Sequence, residues 1–291
     1  TISRRQRQMC IRDSSSTDEI SFLQNSTYAW NFFLSSIKLK KDENVVILDN
    51  EYGSNHIGLI NKKIKYQISK INDDGQFCPN DLVNKINKKT KIIFVCHIAS
   101  QCGDEINIEK IGNIIKKINK NIIFVVDACQ SIGQVKIDVK KQKCDVLVGS
   151  GRKYLRGPRG TGILYMNKQV KRLIYPFIVD IKNSFLKKNK ILTKEKTRFF
   201  EVFEYSPALK LGLSEAIQNI NNIGIDKIQQ KIKKLSNFFL SEMKPFHQIV
   251  FYENPRINVG INTLSIKGLK SSRIYDYLLK HKILTSVANY Q

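Results

Sequence analysis

Two short apolar runs, both rich in β-branched residues and both ending on a chemically active side chain, constrain this chain most. Ile122-Ile123-Phe124-Val125-Val126 ends on the carboxylate of Asp127. Asp145-Val146-Leu147-Val148 runs into Gly149-Ser150-Gly151-Arg152-Lys153, a glycine-rich turn that carries an amine. Both runs read as buried strands with a functional residue at the carboxyl end. Only one connection separates them, so the two side chains fall into reach of one crevice. Open α/β sheets bind ligands there, beyond the ends of their strands.

A carboxylate and a lysine in one crevice, beside a turn of small residues, make the donor set of a pyridoxal phosphate site. The lysine amine forms a Schiff base with the aldehyde, and the acid pairs with the pyridinium nitrogen. The backbone and hydroxyl of the Ser150-Gly151-Arg152 turn, with the Arg152 guanidinium, suit the phosphate. Singly, a lysine in a glycine-rich loop is a solvated surface residue, and an acid after a strand is a turn or cap residue. The combination extends further, through Asp127-Ala128-Cys129-Gln130, Ser150-Gly151-Arg152-Lys153 and Arg156-Gly157-Pro158-Arg159-Gly160-Thr161-Gly162. It resembles the cofactor core of the class V aminotransferases, the family that also contains cysteine desulfurases. Within it, SGRKYLRGPRGTG is similar to the ergothioneine-type C–S lyases and isopenicillin-epimerase-like proteins. The resemblance covers nearly the whole chain and is densest over residues 125–165.

The resemblance implies a fold type I protein: an α/β large domain with a mainly parallel sheet flanked by helices, over 1–227, and the start of a small α+β domain, over 228–291. It implies a homodimer with pyridoxal phosphate at the subunit interface. Lys153 is then the catalytic lysine, holding the cofactor as a Schiff base and serving as general base at the α-carbon of an amino acid. Asp127 keeps the ring nitrogen protonated, and Gln130 hydrogen-bonds the phenolic oxygen. Ser150 and Arg152 complete the phosphate site, relatives often having His where Arg152 stands. Ser26 and Thr27 open a helix and hold the same phosphate. Tyr52 matches the position of the ring that stacks on the pyridine. Ser100 stands where desulfurases have an asparagine near the phenolic oxygen.

Taken in order, 2–12 reads as part of an opening helix and Ser14 to Glu19 as a turn. Ile20 to Leu23 is strand-like and leads through Gln24-Asn25-Ser26-Thr27 into a helical run. Val45 to Asp49 is a strand that delivers Asn50-Glu51-Tyr52, with His56 nearby and incidental. A strand over 64–71 and a helix over 79–87 follow. Ile92 to Cys96 is a buried strand, and Ile111, Ile114, Ile115 and Ile118 stripe a helix over 106–118. Strand, helix, strand in this order predicts a parallel, right-handed layer. A long helical stretch from Pro207 to about Met243 is broken near Gly224.

With 291 residues, the chain is long enough for one large core and a smaller domain. Its 49 Lys+Arg against 25 Asp+Glu give +24, a balance that raises nucleic acid or an anionic membrane as a partner. The lysines are nevertheless dispersed among Ile and Asn, as in NKINKKTKII, which predicts solvated helix faces and no dedicated nucleic-acid surface. The six cysteines, Cys10, Cys78, Cys96, Cys102, Cys129 and Cys144, lack CxxC spacing and read as reduced, mostly buried thiols. No metal site is expected. No run has membrane-spanning length, so a cytoplasmic protein is the expectation. The ends at Thr1 and Gln291 lead us to expect a fragment of a longer protein.

Within the class, C–S cleavage, transamination, epimerisation and desulfuration stay open. Many desulfurases carry Gly-Thr where this chain reads Phe203-Glu204-Tyr205, and none of the six cysteines stands at a recognisable sulfur-acceptor position. A reading from another class is a non-catalytic basic binding protein that keeps the fold without the chemistry. The intact set of Asp127, Gln130 and Lys153 argues against it.

Overall fold

The computed structural model describes residues 17–193, 200–252 and 259–288. The opening helix expected over 2–12 and Cys10 lie outside them. After a 3-10 turn, β1 (Ile20–Leu23) leads into α1 (Ser26–Ser36). Then come β2 (Asn44–Leu48), α2 (Gly53–Asn61), β3 (Lys65–Ser69), α3 (Pro79–Lys85), β4 (Thr90–Cys96), α4 (Ile108–Ile118) and β5 (Ile123–Asp127). β6 (Val146–Ser150), β7 (Gly162–Met166) and the short α5 (Lys168–Lys171) follow. A hairpin of β8 (Ser184–Lys187) and β9 (Lys190–Thr193) precedes α6 (Pro207–Ile223) and α7 (Ile225–Met243). β10 (Ile249–Phe251), β11 (Leu264–Ile266) and α8 (Ser271–Lys280) complete the order.

Seven strands form one sheet in the order β1-β7-β6-β5-β4-β2-β3. β3, β2, β4, β5 and β6 are parallel to one another, and β7 runs against both β6 and β1. The sheet is therefore mainly parallel, as expected, with one reversed strand.

β2, β5 and β6 are buried throughout because both sheet faces are covered, which is why they read as continuous apolar runs. Alternation sorts their residues between two cores. Val46, Leu48, Ile93, Phe124, Val126 and Leu147 share one face with Ile111 and Ile115 of α4 and Leu213 and Ile217 of α6. Val45, Ile47, Phe94, Val125 and Val148 share the other with Trp30 and Phe33 of α1. There the Trp30 and Phe94 rings stack with centroids 4.0 Å apart.

α4 begins at Asn107, whose side chain accepts from the Lys110 N–H, and buries Ile108, Ile111 and Ile115, while Ile114 is partly covered and Ile118, at the end of the expected stripe, is exposed with Lys117. Lys116 instead folds back, donating to the Ile122 carbonyl at 2.8 Å and pairing with Asp145 ahead of β6. α6 and α7 meet at Gly224, whose φ of +91° ends the first helix. Ile225 and Ile228 in the first turn of α7 still pack on the core of the large sheet. The segment before β11 is tied to the loops above the sheet: the Tyr154 hydroxyl donates to the Gly260 carbonyl at 2.8 Å, and the Gly260 N–H to Gln134 at 2.9 Å.

Candidate active site

A cavity of about 310 Å³ opens at the carboxyl ends of the parallel strands. Chain order reverses there, because β4 returns across β2 after β3 has been laid at the edge. That is where an open α/β sheet leaves a crevice. β5 and β6 are direct neighbours, with Asp127 opposite Val148, so Asp127 and the turn after Ser150 meet at one end of the sheet.

Asp127 is 2% exposed. Its Oδ1 accepts from the Cys129 N–H at 2.8 Å and its Oδ2 from the Asn55 amide at 2.7 Å. Lys153 follows β6 in a loop that closes on itself, the Gly151 N–H donating to Thr161 at 2.9 Å and the Gly157 N–H to Gly151 at 2.7 Å. Glycine is required at two contacts in this layer. A Cβ on Gly151 would lie 2.1 Å from Thr161 Oγ1, and one on Gly162 would lie 2.6 Å from the Asn25 carbonyl carbon. The second contact seats β7 directly against the start of α1.

The N-terminus of α1 faces this cavity. Asn25 caps it by accepting from the Tyr28 N–H at 2.8 Å, which leaves Ser26 and Thr27 in the first turn on the cavity wall. The first N–H groups of a helix are unpaired donors with partial positive charge, so an anion is favoured at this wall. Arg152 and Ser150 line the same space. Tyr52 stands at the N-terminus of α2, partly exposed, with the Lys153 amine 5.8 Å from its ring centroid. Gln130, after β5, and Ser100, in the loop after β4, complete the wall. The fold thus brings Ser26, Thr27, Tyr52, Ser100, Asp127, Gln130, Ser150, Arg152 and Lys153 to one cavity.

Four further residues stand out only in three dimensions. Glu51 and Asn55 back Asp127. The Glu51 carboxyl is pushed up to about 8, first by burial and then by the neighbouring Asp127 carboxylate. Cys96 and Cys129 line the cavity, and burial, followed by the Asp127 charge, pushes both thiols up. They are neutral thiols, not ready thiolate nucleophiles. His56 stays apart from the cavity, its ring edge-on to Tyr66. The five described cysteines are all free thiols. Among the described residues no helix is long and apolar enough to cross a membrane.

The sheet and the crevice at its carboxyl edge define an α/β protein of fold type I, the architecture of pyridoxal-phosphate enzymes. The chain belongs to the Aminotransferase class-V family, which it matches over residues 8–287. It is 32% identical over 278 residues to a probable cysteine desulfurase of Borreliella burgdorferi, covering 92% of this chain and 64% of that protein. The chain therefore spans less than two thirds of that relative's length. The apo structure of a cysteine desulfurase from Thermococcus onnurineus NA1 superposes with a TM-score of 0.84 at 24% identity, covering 97% of this chain and 71% of the other. The complex of the cystine C–S lyase C-DES with its product cysteine persulfide gives 0.87 at 19% identity, covering 96% and 76%. These two likenesses are of fold.

Proposed function

We propose that the chain is a pyridoxal-phosphate-dependent enzyme that acts on an amino acid through a Lys153 Schiff base, and that its reaction breaks a C–S bond. The observation that carries the reading is the delivery of Asp127 and Lys153, from neighbouring strands, into one cavity that also holds the N-terminus of α1. The donor set fits this cofactor. An amine for the aldehyde, a buried carboxylate for the ring nitrogen, a flat ring for the pyridine face and a cationic, hydroxyl-lined wall for the phosphate surround a single space.

Lys153 would hold the cofactor through its amine and would serve as the base for the α-carbon proton. Asp127, with each oxygen already fixed by one donor, presents a positioned negative charge to the ring nitrogen. When bound, the cofactor supplies an electron sink for the pair left at that carbon. Ser26, Thr27, Ser150 and Arg152 would hold the phosphate, and Tyr52 would cover the ring and exclude water. Gln130 and Ser100, which line the same cavity, would supply polar side chains toward the phenolic oxygen.

C–S cleavage is favoured over transamination and epimerisation because the matched relatives are named for sulfur chemistry. Cysteine is the first substrate to try, followed by its S-conjugates. Release of alanine with sulfur transferred to a thiol is desulfuration; pyruvate, ammonia and sulfide together are elimination. Quantifying these products for the wild type and Lys153→Ala tests the function. Turnover that survives Lys153→Ala, or no C–S cleavage beside rapid keto-acid formation from other amino acids, refutes the C–S reading.

A homodimer in the cytoplasm belongs to the same proposal, as does the division into a large domain to about residue 227 and a smaller one beyond. An apolar cavity of about 320 Å³ next to Tyr28 is lined by Phe22, Phe32, Phe200 and Leu209. Nearby Phe203 is 62% exposed. Apolar surface of this kind supports a subunit contact, and light scattering of the purified chain measures it.

A further inference from the structure

We propose that Glu51 is a positioning residue for Asp127: acting through the Asn55 amide, it fixes the Oδ2 edge of the Asp127 carboxylate and leaves that group the one negative charge of a buried acid pair. The role deepens the cofactor reading above and rests on it.

Glu51 lies between β2 and α2, just ahead of the helix, and Asn55 lies in the first turn of α2, within hydrogen-bond reach of it. Asn55 is 3% exposed, and its Nδ2 donates at 3.0 Å to Glu51 Oε1 and at 2.7 Å to Asp127 Oδ2. An amide nitrogen has two protons, and here each goes to a different carboxyl group. Turning the amide over would set its oxygen against two acceptors, so Glu51 and Asp127 together lock its orientation. Glu51 Oε1 also accepts from the Tyr52 N–H at 2.8 Å, which links the pair to the residue carrying the stacking ring.

Glu51 Oε2 is buried and has no hydrogen-bond partner. A carboxylate would leave that oxygen both charged and bare, and the neighbouring Asp127 would repel it. The proton therefore belongs on Oε2, since Oε1 already accepts twice. The elements packed around the pair contribute thiols whose pKa values burial raises. β4 contributes the Cys96 thiol, within 4.8 Å of both carboxyl groups, and the turn after β5 contributes the Cys129 thiol. The Cys96 backbone also acts on the Glu51 carboxyl, without offsetting its burial, and the Lys153 amine is a cation that acts on the Cys96 thiol. Without Glu51 one of the two acceptors that hold the Asn55 amide is gone, and the donor that aims Asp127 is held less firmly.

The test begins with the chain free of cofactor, so it does not depend on the cofactor reading. Carboxyl-labelled glutamate is followed by 13C NMR against pH in the wild type and in Glu51→Gln, which keeps the shape and neutrality of the protonated acid. One glutamate with a midpoint near 8, absent from Glu51→Gln, is expected; glutamates that all titrate in the ordinary carboxylate range overturn the pair. Pyridoxal phosphate is then added, and its affinity and visible spectrum are measured. Glu51→Gln is expected to bind within about threefold of wild type and to lack a spectral inflection near pH 8 that the wild type shows. Glu51→Ala and Asn55→Ala are expected to bind roughly tenfold more weakly. Wild-type affinity and spectrum in both alanine variants overturn the positioning role. A wild-type chain that keeps the displaced glutamate but takes up no cofactor leaves the acid pair standing and refutes the proposed function.

Discussion

The Lys153 amine stands 5.8 Å from the centre of the Tyr52 ring, in the cavity that Asp127 also lines. Tyr52 is 42% exposed, so its ring has little packing to lose and a flat partner to gain. Stacking is worth about 0.5–1.5 kcal/mol. Tyr52→Phe is expected to keep the affinity for pyridoxal phosphate, and Tyr52→Ala to lower it by roughly 3- to 10-fold, as read by fluorescence titration. Equal affinity in all three chains would remove Tyr52 from the site.

Glu51 makes the stability of the cofactor-free chain depend on pH. Folding raises its pKa from the ordinary 4.5 to about 8, so between those values the folded chain holds a proton that the unfolded chain has lost. Its stabilising contribution is complete below 4.5 and lost as pH rises through 8, with a slope of at most about 1.4 kcal/mol per pH unit. Thermal melts from pH 5 to 8 should show wild type losing stability relative to Glu51→Gln. Parallel curves would contradict this.

Arg152 provides a cation whose charge does not vary near neutral pH. Arg152→Ala should weaken cofactor binding by roughly 10- to 100-fold at every pH. Arg152→His should bind well at low pH and lose affinity as pH rises through about 6.5. Dissociation constants across pH 5.5–8.5 separate the three chains, and a flat profile for the histidine variant would place Arg152 away from the phosphate.

Gly151 is held by space. Its Cβ would meet Thr161 Oγ1 at 2.1 Å and Leu213 Cδ1 at 2.9 Å, and Thr161 is itself engaged with the Pro158 carbonyl at 2.6 Å. Overpacking of this kind costs about 1–3 kcal/mol. Gly151→Ala should lower the melting temperature by roughly 2–4 °C per kcal/mol and displace Lys153, so that stability and cofactor uptake fall together.

Much of this was legible in the sequence where one segment carries its own reason. β5 and β6 are covered on both faces, so they appear as apolar runs, and their functional residues sit where those runs stop. The isoleucine stripe marks α4, and Gly224 marks the break between α6 and α7. The reversed course of β7 and its pairing with β1 were not legible, because neither strand's residues name a partner. The β8–β9 hairpin also escaped, since its exposed Phe185, Leu186, Ile191 and Leu192 give no polar alternation. Glu51 and Asn55 acquire their meaning only from Asp127, a residue on a strand two places away in the sheet.

Borohydride trapping tests the central claim most directly. The chain is purified with added pyridoxal phosphate, its visible spectrum is recorded before and after reduction, and the modified peptide is located by mass spectrometry in wild type and Lys153→Ala. The expected result is a visible band that reduction abolishes, with the label on Lys153 and neither band nor label in the variant. A folded wild-type chain with no band, or a label on another lysine, would contradict the assignment and move the basic-surface reading to first place.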